Sequence, residues 1–229
     1  EPTAVRTAAA AGVNVDGLCT APYGTKYGVL GAPIGSRAST CQYVSERVDA
    51  MEPLFDAIAE LPCIHTAYLL LIKCAAFCRI VHLARTVPHG FAAEQFDRFD
   101  NLVYHCFARF TGLRPDAASW AQAHYAVKSG GLGLRTARGS RLAAVIASTT
   151  AAAHPCQRLD AAYSPHHTDD GQGPPHADAM QRCADLLPGI FDGADASTPS
   201  QKNTSNRLDA SVLTKLLGTY IHTYIHTYI

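Results

Sequence analysis

Three groups of residues have types and spacings that could do chemistry. Cys74, Cys78 and His82 recur at i, i+4 and i+8, so on a helix they would share one face. Thiolate and imidazole are zinc ligands, and zinc takes four, so Cys63, His105 or Cys106 would have to complete a site. Core thiols beside a hydrogen-bonded histidine explain the same spacing and are the expected reading, so no metal and no cofactor is expected. The second group is Gly130-Gly131-Leu132-Gly133, bracketed by Lys128, Arg135, Arg138 and Arg141. It lacks both the G-x-G-x-x-G spacing and the preceding strand of a dinucleotide site. A tight helix-to-helix turn is expected there, with backbone amides and four cations that could meet nucleic-acid phosphates. Arg79 and Arg85 could do the same from the cysteine-bearing segment, although a spacing of six points their side chains apart. Arg85 would also suit the negative end of a helix. The third group, His167-Thr168-Asp169-Asp170, imitates a turn with paired carboxylates of the kind that holds two metals. It sits among Pro and Gly without flanking strand residues and reads as a polar linker. No aromatic run interleaves the cations, so stacking on bases is not indicated.

The elements that must position these groups are helical. From Pro62 to Pro88 two prolines bracket a run without Gly or Pro, apolar at Leu69, Leu70, Ile72, Ala76, Phe77, Ile80, Val81 and Leu83. It predicts one long central helix, roughly 38 Å at about 1.5 Å per residue. Lys73, Arg79 and Arg85 interrupt it too often for a membrane span, so a soluble bundle is expected. Ahead of it, Val44, Val48, Met51, Phe55 and Ile58 step by fours and threes, which predicts a helix starting at Ser39 or Thr40 that Pro53 kinks or splits. Glu46, Asp49, Glu52, Asp56 and Glu60 form its solvated face. After a His89-Gly90 turn, Phe96, Phe99, Val103, Cys106, Phe107 and Phe110 mark the clearest helix, stopped by Gly112. Trp120 reads as a core anchor of a short helix within Pro115–Tyr125, and Leu142–Ala153 as a small-residue helix. Residues 23–36 predict a short strand–turn–strand.

The fold class expected is mostly α: a helical bundle with a short N-terminal β-hairpin and a disordered C-terminal tail. The parts are 1–36, 37–153 and 154–229. In the last part, residues 155–178 and 188–207 read as flexible, a short helix is expected over 177–187, and the end, TYIHTYIHTYI, reads as translated simple-repeat DNA. Eight cysteines scattered through apolar helical patterns, with no leader ahead of them, read as buried free thiols in the reducing compartment of an intracellular protein. The formal net charge is zero, yet residues 62–145 hold ten Lys/Arg against four Asp/Glu, with acidic stretches on either side. A basic middle can be a nucleic-acid surface or scattered solubilising charge.

Two stretches together resemble the reverse transcriptases of non-LTR retrotransposons. Residues 26–36, KYGVLGAPIGS, resemble the segment that closes the palm in that family, and residues 120–148, WAQAHYAVKSGGLGLRTARGSRLAAVIAS, resemble a G-G-L-G-L-R-S-A segment further on. Gln122-Ala123, Gly130 to Arg135 and Ala137 carry the match; Tyr125-Ala126 replaces a Leu-Pro and Thr136 a Ser. The resemblance covers residues 23–153. It implies the end of a palm followed by a thumb-like helical region that grips a template–primer duplex, RNA–DNA or DNA, through phosphates. It implies Arg79, Arg85, Lys128, Arg135, Arg138 and Arg141 as nucleic-acid-binding residues, and the upstream polymerase region as the protein partner. The metal-binding aspartates of that family precede LGAPIG and would lie ahead of Glu1, so a fragment of a longer protein without catalytic residues is expected, with no membrane partner. A helical protein-interaction module without nucleic-acid binding is the alternative.

Overall fold

The computed structural model describes residues 27–159 and, singly, residues 161, 185, 204, 206, 207 and 210. Tyr27–Val29 (β1) and Ala32–Ile34 (β2) pair antiparallel, with Val29 opposite Ala32. The two-residue turn places Leu30 at φ 51° and Gly31 at φ 82°, the mark of a type I′ turn, whose twist suits a tight hairpin. Gly28 lets the Tyr43 ring lie against the hairpin; a Cβ there would come within 3.0 Å of it.

Helix α1 spans Arg37–Asp49 and starts earlier than Ser39 or Thr40, because the Ser36 side chain accepts from the Ser39 amide at 3.2 Å. Ser39 and Thr40 are buried inside it. The expected split occurs: α1 ends, and α2 begins over Glu52–Ala59 with Pro53 in its first turn, where a missing N–H costs nothing. Val44, Val48, Phe55 and Ile58 are buried as their periodicity required, while Met51 at the joint is half-buried.

The expected single helix over 62–88 is not what forms. Helix α3 covers Ile64–Leu70, a π turn covers Leu71–Ala75, and α4 runs over Phe77–Thr86 after a break at Ala76 with ψ −133°. The buried positions supply the reason: Ala67, Leu71, Ala75 with Ala76, Ile80, Leu83, Ala84 and Val87. Their steps include one residue too many for a straight α-helix to keep a single face inward. The π turn, closed by Ala76 N–H to Leu71 O at 2.7 Å, absorbs it. By length and composition Ile64–Thr86 could cross a membrane, with mean hydropathy 1.7, and 39% of that window is buried in the fold. Ile64, Leu69 and Leu70 are exposed.

The central element is instead α5, Ala93–Thr111, against which α1, α2, α3 and the last helix all pack. Phe96, Phe99, Val103, Cys106, Phe107 and Phe110 are buried on it, and Gly112 at φ 71° ends it, both as expected. Phe55 meets Phe99 edge to face at 5.7 Å. Arg98 pairs with Asp49 and Glu52, and Arg109 with Asp56 and Glu60, so two arginines of α5 fasten the carboxylates of α1, α2 and the turn after it. Helix α6, Ala117–Ala123, is capped by Asp116 and holds Trp120 among Tyr104, Phe107 and His124.

Helix α7 runs over Ala137–Leu159, longer at both ends than Leu142–Ala153 and past the boundary expected at residue 153. Its start is held from outside: Asp100 of α5 accepts from the amides of Ala137 and Arg138 at 2.6 and 3.0 Å. Pro155 lies inside it and leaves one carbonyl a turn earlier without its helical partner. The rest of the expected tail, including its 177–187 helix and the repeat, lies outside the described residues, apart from isolated helical positions of which Thr204 is buried.

Candidate nucleic-acid interface

The glycine loop is built by its own hydrogen bonds. After α6 a 3-10 turn over Val127–Ser129 hands the chain to Gly130 at φ 80°. The amides of Gly130, Gly131, Leu132, Gly133, Leu134 and Arg135 then donate, in order, to the carbonyls of Val127, Ala126, Ala123, Tyr125, Ala123 and Gly133. Gly131 is pressed against the carbonyls of Gln122 and Tyr125, and a Cβ there would sit 2.6 Å from Gln122 O. Gly133 takes φ 71°. The tight turn read from the sequence is present, whereas its backbone amides are not available to phosphates, because each is already spent on the loop itself. Tyr68 of α3 donates to Leu132 O, and His124 bonds Leu134 O through Nδ1 at 2.6 Å, tying the loop to the helices. Burial holds the His124 imidazole below its ordinary range, against a smaller opposing effect of that carbonyl.

The six expected contact residues fall into three situations. Arg79 and Arg85 are exposed on α4, and Lys128 is exposed on the 3-10 turn. Arg138 is exposed in the first turn of α7, where a cation opposes the helix dipole; Asp97 stands 3.4 Å from it, and Asp100 caps the same turn. Arg135 is half-buried.

Arg141 does not belong with them. It is 4% exposed, its Nη2 donates to Pro88 O at 2.6 Å and to Phe91 O, and its guanidinium lies 4.2 Å from the Phe96 ring centroid. Burial pulls its pKa down to about 10, which leaves it charged at neutral pH. A guanidinium consumed by two carbonyls and an aromatic face has no route to a phosphate. Its role is to lock the start of α7 onto the turn that ends α4. Arg37 fastens the same turn from α1, donating to Gly90 O at 3.1 Å.

The charges are partitioned between elements. From Leu61 to Ala93 and again from Ala117 to Leu159 there is no Asp or Glu. The α3–α4 stretch, the glycine loop and α7 therefore present only cations, and α4 and α7 pack on each other. Two exposed cations of this half, Lys73 and Arg158, were missed in the motif reading; the carboxylate-free runs that contain them were the available signal. The carboxylates of α1, α2 and the turn after it occupy the other half, where Arg98 and Arg109 engage four of them, whereas Asp97 and Asp100 of α5 stand at the boundary, against the first turn of α7. Asp100 was missed as well. No local pattern marks it, because the helix it caps begins 37 residues later.

Among the described residues no three His, Cys, Asp or Glu side chains gather as metal ligands, so Cys74, Cys78 and His82 do not form a ligand set; all three are exposed, and the core thiols expected there are not core. Cys106 is buried on α5, its thiol pushed up to about 11 by burial. His167, Asp169 and Asp170 lie outside the described residues. A cleft of about 240 Å³ between α2 and α5 is lined by Glu52, Phe55, Asp56, Leu102, His105, Cys106 and Arg109, on the acidic half of the molecule. No family model matches this chain, and neither the curated proteins nor the solved structures give a significant match.

Proposed function

We propose that this chain is a non-catalytic helical piece of a non-LTR retrotransposon reverse transcriptase that grips a nucleic-acid duplex through its phosphates. The observation that carries the reading is the charge partition: α3, α4, the glycine loop and α7 hold cations and no carboxylate, and α4 and α7 pack together. Arg79, Arg85, Lys128, Arg135 and Arg138 are the contact residues of this reading, with Lys73 and Arg158 added. Such a surface attracts any polyanion and reads no sequence, since phosphate contacts position a protein without distinguishing bases. The order of the two motifs, LGAPIG then GGLGLR, supports the parentage.

The test is fluorescence anisotropy of a labelled RNA–DNA hybrid and a DNA duplex with the full chain. Affinity should fall steeply between about 50 and 200 mM salt, as counterion release requires. Binding that is absent at low salt, or indifferent to salt, overturns the reading. A helical protein-interaction module is the second reading. The exposure of Ile64, Leu69 and Leu70 on α3 and of Leu132 beside it favours that reading, because large apolar side chains in water suit a protein partner. In the duplex-gripping reading the same side chains are where the upstream polymerase region would dock.

A further inference from the structure

Cys74 and Cys78 stand on either side of the break at Ala76, both exposed. Lys73 and Arg79 adjoin them, and no carboxylate occurs between Leu61 and Ala93. Accessible thiols can meet a disulfide oxidant in solution, in contrast to thiols sealed in a core. The thiol of Cys78 is held above its ordinary range first by partial burial and next by Cys74, so the two sulfurs are within electrostatic reach of each other. Residues four apart on a helix have Cβ atoms about 5–6 Å apart, and a disulfide needs about 3.8 Å. An intact α-helix resists closing that gap. Here the backbone between the two residues has already left helical geometry, with a π turn on one side and ψ −133° at Ala76, and it contains no proline to stiffen it.

We propose that Cys74 and Cys78 are a redox modification site that closes to a reversible disulfide across the π break, with a low-molecular-weight disulfide such as oxidised glutathione as oxidant. One thiolate attacks a sulfur of oxidised glutathione, forming a mixed disulfide and expelling one glutathione thiolate. The second thiolate attacks the protein sulfur of that mixed disulfide, forming the Cys74–Cys78 bond and expelling the second glutathione. The pair loses two electrons and two protons, and these end on two reduced glutathione molecules; excess reduced glutathione reverses both steps. This site is independent of the duplex-gripping reading, and the chain can have either property without the other.

The test uses the full chain equilibrated with oxidised and reduced glutathione, quenched in acid, alkylated and cleaved by trypsin. Cleavage after Lys73 and Arg79 releases CAAFCR, which carries both thiols and no other cysteine. The expected product under oxidising buffer is this peptide, unalkylated and lighter by two hydrogens than its dithiol form, returning to the doubly alkylated form under excess reduced glutathione. Cys74→Ser and Cys78→Ser should each leave a peptide with a single glutathione adduct; both positions are exposed, so the fold should persist. A wild-type peptide found only alkylated, only glutathionylated, or joined to another cysteine overturns the proposal.

Discussion

At the scale of single residues, the three glycines of the loop do different things, and substitution separates them. Gly130 and Gly133 hold positive φ with no neighbour closer than 3.9 Å to an added Cβ, so alanine there costs only the left-handed penalty, about 1–2 kcal/mol. Gly131 lacks a positive φ but faces the carbonyls of Gln122 and Tyr125, which are backbone and cannot swing away. Gly131→Ala should therefore cost about 3 kcal/mol or more, the upper end of overpacking, read as a lowered urea midpoint. Equal costs at Gly130 and Gly131 would contradict this packing. Leu30 is the opposite case. It holds φ 51° while 93% exposed, so it bears strain without packing in return. Leu30→Asn should stabilise the chain by about 1 kcal/mol, because asparagine tolerates the type I′ geometry. A loss of stability would mean that Leu30 makes a contact in solution.

At the scale of elements, the joint between α5 and α7 rests on Asp100, and its chemistry sets a pH dependence. Burial outweighs the two amides it accepts from and lifts its pKa from 3.8 to about 6. The folded chain then binds a proton over a window in which the unfolded chain has lost it, so this residue's contribution to stability falls as pH rises from about 4 to 6. At 1.36 kcal/mol per unit the effect is at most about 3 kcal/mol. His124 works in the other sense: held low by burial, it contributes stability that is lost as pH falls below its ordinary range. Subtracting the urea-derived stability of Asp100→Asn from that of the parent between about pH 4 and 7 isolates the first effect. A flat difference would mean that Asp100 stays ionised under its two amides. The same joint shows what the sequence could and could not disclose. The phenylalanine spacing of α5, the split at Pro53 and the stop at Gly112 were readable because local pattern and tertiary burial agree there. The early start of α7 was not, since its cap arrives from another helix. The break at Ala76 carries no Gly or Pro; it follows from the burial demanded of Ala75, Ala76 and Ile80 together. Arg141 looked like its neighbours Arg135 and Arg138 because nothing local announces that Pro88 and Phe91 wait for it fifty residues away.

At the scale of the whole molecule, net charge and charge placement make different predictions, and this chain separates them. The formal net charge of the sequence is zero, so bulk attraction to a polyanion is weak. What remains is the cationic half, where Arg79 and Lys128 are exposed, against the half in which Arg98 and Arg109 are engaged by carboxylates. Arg79→Ala with Lys128→Ala removes two charges from the first half; Arg98→Ala with Arg109→Ala removes two from the second. Both doubles change the net charge equally. If placement governs binding, the first double weakens duplex binding and lowers the salt slope by about one for each cation that met a phosphate. The second should leave the slope unchanged and cost stability instead, within about 1 kcal/mol per exposed pair. The comparison is read from anisotropy titrations of one RNA–DNA hybrid at several salt concentrations, beside urea melts of each variant. Equal slopes for the two doubles would show that the partition is an ordinary solvated surface, and the exposed apolar side chains of α3 would then be the stronger guide to what this fold does.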